Sequence, residues 1–79
     1  MTEKLAEKAW MVRVEIMETA SHTVVVYFVV GKSSSEEVVT AVRSYPGIEP
    51  EDKVTATHPL TATEIKSLRI RADEVRTYG

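Results

Sequence analysis

Apolar and polar residues alternate from Trp10 to Glu18. Trp10, Val12, Val14 and Ile16 fall on one side, and Met11, Arg13, Glu15 and Met17 on the other. A period of two predicts a half-buried strand with the Trp10 set turned to the core. The next run, Thr23–Val30, is apolar on both sides: Val24, Val26, Phe28 and Val30 oppose Val25, Tyr27 and Val29. Such a run, dense in β-branched and aromatic residues, fits a central strand. Thr19–His22 lacks the Asn-Gly or Asp-Gly of a two-residue turn. It suits a four- or five-residue hairpin loop, which makes the two strands antiparallel.

After Gly31 the period becomes helical. Ser33 with Glu36 and Ser34 with Glu37 form two overlapping capping boxes, and both acids suit the positive end of a helix dipole. Val38, Val39, Ala41, Val42 and Tyr45 make the buried stripe, and Pro46-Gly47 stops the helix. Lys53–His58 alternates again as a third strand with Val54 and Ala56 inward. Thr61 and Glu64 form a further capping box, with Leu60 placed to staple onto Ile65. Ile65, Leu68, Ala72 and Val75 would fit one long helix to Tyr78, but that helix would point Ile70 to solvent beside Arg69 and Arg71. The preferred reading is a short helix over Ala62–Ser67, then extended chain, with Glu74–Tyr78 as a short edge strand.

These elements predict an α+β domain of order β-β-α-β-α over residues 9–79, behind a flexible leader at 1–8. A strand–helix–strand unit implies a right-handed crossover, so strands two and three should run parallel. The expectation is a three-stranded mixed sheet in the order 1-2-3, with one main helix on one face and the C-terminal segment at an edge. The alternative order puts the first strand in the middle.

Composition narrows the chemistry. Seventy-nine residues, 43% of them apolar, make one small core. The absence of cysteine excludes disulfides and thiolate metal sites, and two histidines are too few for a structural zinc site. No metal or cofactor is implied. No apolar run approaches the length of a membrane span, and a secretory signal pattern is lacking, so a soluble, cytoplasmic protein is expected.

Gly31-Lys32-Ser33 stands between a strand and a helix like the end of a phosphate-binding loop. The glycine that loop needs five residues earlier is Val26, so the pattern is incomplete. His22 and His58 are the candidate general bases, and neither has a catalytic partner at a telling spacing, so no enzyme is predicted. Lys66, Arg69, Arg71 and Arg76 form the nearest thing to an anion-binding cluster. They are interspersed with Glu64, Asp73 and Glu74 in a chain of net charge −2. Glu64–Tyr78 superficially has the spacing of a helix-turn-helix, but Lys66 and Arg69 occupy the region of its small residue and its turn glycine.

The sheet side away from the first helix would carry Met11, Arg13, Met17, Val25, Tyr27 and Val29, with Glu15 among them. An apolar patch with a polar fringe points to a partner surface, unless the leader or the C-terminal segment covers it. The expected function is a small interaction or structural module, self-associating as a homodimer through this face. The alternative is nucleic-acid binding by the sheet or by the basic C-terminal segment.

Overall fold

β1 (Trp10–Thr19) and β2 (His22–Val30) form the long antiparallel hairpin that the alternation predicts, in a computed structural model that describes residues 4–78. The first three residues of the expected leader thus lie outside the described residues. Strand pairing continues to Thr19↔His22, leaving only Ala20 and Ser21 in the turn instead of a four- or five-residue loop. Neither turn residue has positive φ, and a register shift between Met17 and Thr19 takes up the mismatch as a bulge.

The remaining elements are α1 (Ser35–Arg43), β3 (Lys53–Pro59), α2 (Ala62–Leu68) and β4 (Val75–Tyr78). The sheet has four strands in the order β3-β1-β2-β4, and every neighbouring pair is antiparallel. This corrects the expected three-stranded mixed sheet of order 1-2-3: β1, not β2, takes β3 as its neighbour. β2 and β3 still run in the same direction, because both oppose β1, but β1 lies between them. The physical reason is that side-chain alternation reports which faces are covered. It does not report which main-chain edge a later strand will take, since every residue offers the same amide and carbonyl.

The two sides of the sheet carry separate cores. On one side Val12, Val14, Phe28 and Val30 are buried under Val38 and Val42 of α1. Tyr45 closes that layer with its ring edge on to Phe28, centroids 5.0 Å apart. On the other side Val29 is buried with Ala6, Ala9, Leu60, Ile65 and Ile70, and Leu5, Met11 and Leu68 pack at its margin.

Local chemistry explains the ends of the helices. Ser34 caps α1, its hydroxyl accepting from the Glu37 N–H at 3.2 Å. Before β3, the buried Asp52 carboxylate accepts from the Glu49 N–H at 2.8 Å and closes the turn. The Thr61–Glu64 capping box forms in full, with bonds of 3.0 and 3.1 Å. α2 ends at Arg69 in the left-handed region (φ 53°), which releases the chain so that Ile70 turns inward.

The bonds from Thr61, led by its backbone N–H, hold the Glu64 carboxyl below its ordinary pKa. A depressed carboxylate pKa adds stability that is complete above the unfolded value and disappears as pH falls through the folded one. Glu64→Gln keeps a capping partner but cannot titrate. The difference in melting temperature between wild type and Glu64→Gln is therefore expected to shrink as pH falls below the usual carboxylate range. A difference that stays constant with pH would contradict this role.

Candidate functional site

Sheet alternation fixes which residues share the second face. The register sets Thr55, Arg13, Tyr27 and Tyr78 in one row across β3, β1, β2 and β4, and Lys53, Glu15 and Val25 in the next. Met17 and Thr23 follow as a pair near the turn. Covering of this face stops short of these rows. Leu60 N–H donates to Ala9 C=O at 2.8 Å and so starts α2 at the Met11 end. Ala6 N–H donates to Ile70 C=O at 2.8 Å, and Leu5 bridges to Arg71, which lays residues 5–9 over the same end.

The six expected patch residues therefore divide. Met11 is half-buried and Val29 fully buried beneath α2 and the N-terminal segment, so these two leave the surface. Arg13, Met17, Val25 and Tyr27 remain at the open end. Met17, Val25 and Tyr27 are 59%, 39% and 40% exposed, and Tyr78, absent from the expected set, joins them at 46%. Tyr78 is found only through β4, whose pairing puts it opposite Tyr27. The alternation of Val75 and Thr77 against Arg76 and Tyr78 was the signal available for it.

Charge on this open end is largely neutralised within the sheet. The Arg13 guanidinium donates to the Glu15 carboxylate. That bond raises the Arg13 pKa above its ordinary value, partial burial opposes it, and Glu15 charge and the Tyr27 oxygen add to it. The result is an apolar and aromatic area whose central cation already has a carboxylate.

The basic residues Lys66, Arg69, Arg71 and Arg76 are spread over α2, its C-cap, the segment facing Leu5 and β4. Arg76 is half-buried, donates to the Leu68 carbonyl and stands 3.7 Å from Glu74, so it ties β4 to the end of α2. His22 and His58 lie opposite Thr19 and Met11 of β1, eight residues apart along that strand, or roughly 26 Å. They do not share a site. No group of three or more metal-ligating side chains occurs among the described residues, and none of their helices is long and apolar enough to cross a membrane.

Gly31-Lys32-Ser33 borders a shallow cleft of about 470 Å³, where Lys4, Lys8 and Lys32 are matched by Glu7, Glu37 and Asp73. Lys32 is bonded to Asp73 at 2.8 Å, which raises its pKa. The glycine has a packing role instead: a Cβ there would come within 2.2 Å of the Arg71 carbonyl oxygen. Comparison with protein-family models, curated proteins and solved structures finds no match to the chain.

Proposed function

We propose that this protein is a small interaction module whose partner is a second copy of itself, bound through the open end of the sheet around Tyr27. The observation that carries this reading is the position of Met17, Val25, Tyr27 and Tyr78. These exposed apolar and aromatic side chains cluster beside an internally neutralised Arg13–Glu15 pair, on a face that is otherwise covered. Tyrosine and methionine suit such surfaces because they bring large contact area with an adaptable or partly polar character. The β1–β2 ribbon also runs past its neighbours: β3 stops opposite Glu15 and β4 opposite Tyr27. A two-stranded ribbon alone is marginal in water, so association would stabilise this end of the molecule.

Tyr27→Lys replaces a half-exposed ring with a charge and leaves both cores untouched. It is expected to preserve the fold by circular dichroism and weaken self-association at least tenfold in sedimentation equilibrium. A wild-type chain that stays monomeric at millimolar concentration would remove this reading.

One arrangement favours a second reading. Tyr27 and Tyr78 stand side by side in a row with Arg13, as stacking platforms for single-stranded nucleic acid do. The net charge and the Glu15 partner of Arg13 weigh against it. Titration with mixed-sequence single-stranded DNA and RNA at low salt tests it through chemical shifts at the two tyrosines.

A further inference from the structure

The outer edge of β2 is only half covered, since β4 pairs with it over Tyr27–Val30. Gly31 N–H donates to Glu74 C=O at 2.8 Å, and Gly31 C=O accepts from Asp73 N–H at 2.9 Å. Main-chain groups alternate sides along a strand, so the odd-numbered residues of β2 aim theirs at this edge. Thr23 and Val25 are odd-numbered, exposed and past the end of β4. Among the described residues no strand lies beside their outward N–H and C=O groups.

This stretch is also undefended. Thr23-Val24-Val25-Val26 has no charge, no proline and no bulge, the devices that keep natural edges from pairing. The bulge near the turn falls on β1 and leaves β2 regular. The opposite edge of the sheet, β3, has Lys53 at one end and Pro59 at the other.

The geometry points to pairing of this edge with the same edge of a second copy, about a two-fold axis at Val24, to give one continuous antiparallel sheet. This rests on the reading that the partner is a second copy at the open end of the sheet, and it places the contact along the strand edge beside Tyr27. Two outward-facing residues spaced two apart are self-complementary in antiparallel pairing. Thr23 of one copy opposes Val25 of the other, and the N–H and C=O of both are satisfied. Val24 then faces Val24 of the second copy on the α1 side, where half-buried Ile16 and Val26 already border the core. On the other side, Val25 gains Thr23 and, behind it, Met17 of the second copy. In this register only the turn, Ser21 of the second copy, comes level with Tyr78; sliding two residues further toward Tyr27 would drive strand residues into β4, and sliding the other way would strand Val25.

The test is amide hydrogen exchange by NMR on the 79-residue chain, at concentrations where sedimentation shows monomer and dimer. Thr23 and Val25 amides are expected to slow at least tenfold in the dimer. The amides of Val54 and Ala56, which point away from β1 at the β3 edge by the same alternation while their side chains pack under α1, should stay fast. Val25→Pro removes an outward N–H while sparing the β1–β2 bonds, and is expected to weaken association at least tenfold with an unchanged circular dichroism spectrum. Fast exchange at Thr23 and Val25 in a dimer that Tyr27→Lys weakens would overturn edge pairing and leave the reading of the open face intact. A chain monomeric throughout overturns both. Should Val25→Pro fail to fold, exchange in the unaltered chain still decides.

Discussion

Gly31→Ala is expected to destabilise the protein by about 3 kcal/mol, the upper end for an overpacked site. In a domain of this size that lowers the melting temperature by on the order of 10–20 °C in a thermal denaturation experiment. The added methyl would sit 2.2 Å from the Arg71 carbonyl oxygen and 3.1 Å from the Ala6 Cβ. The first of these is main chain, held by its neighbours: Gly31 bonds Asp73 and Glu74, and Ala6 bonds Ile70. No rotamer change relieves that contact, so β2 and the segment leading to β4 would have to part. Gly47→Ala is the matched control. Gly47 has φ of 95° and open space where a Cβ would go, so it should cost only about 1 kcal/mol of backbone strain. Equal stability of the Gly31→Ala protein and wild type would show that the chain does not cross here at this distance.

Val29→Lys is expected to unfold the protein, whereas the same substitution at Tyr27 is tolerated. Both residues sit on one face of β2, two positions apart, yet Val29 is 1% exposed and Tyr27 is 40%. A lysine at Val29 would place an ammonium group among Ala9, Leu60, Ile65 and Ile70, and the only buried carboxylate among the described residues is Asp52, which closes the turn before β3. An unpaired buried charge costs several kcal/mol, comparable with the whole stability of a small domain. Circular dichroism and the dispersion of NMR signals distinguish the outcomes. A folded Val29→Lys protein would mean that α2 and the N-terminal segment do not seal this end of the sheet.

This contrast shows how far the chain could be read unaided. The capping residues around Ser34 and Thr61, and the refusal of Ile70 to fit an exposed helix face, placed both helices and the extended tail, because those signals are local. Sheet order was not legible. β1 presents Arg13 and Glu15 on one side because that end of the face is open, and this says nothing about whether β1 is central. The boundary through the candidate site was hidden for the same reason. Tyr27 and Val29 carry the same strand signal, and what separates them is the Leu60–Ala9 bond together with the Ala6–Ile70 bond. Those contacts join segments more than fifty residues apart and leave no mark on the residues between. Of the six residues expected on the open face, Arg13, Met17, Val25 and Tyr27 lie at its open end, Met11 and Val29 are packed under the second core, and Tyr78 joins the exposed set.

The second core unites residues 5–9 with residues 60–70 over the Val29 end of β2. During synthesis, the β1–β2 hairpin and α1 emerge long before the segment that seals Val29. A growing chain therefore presents that valine to solvent until Leu60, Ile65 and Ile70 have cleared the ribosome. Exposed apolar strand of this kind is prone to misassociation, and the interval closes only when residues 60–70 arrive.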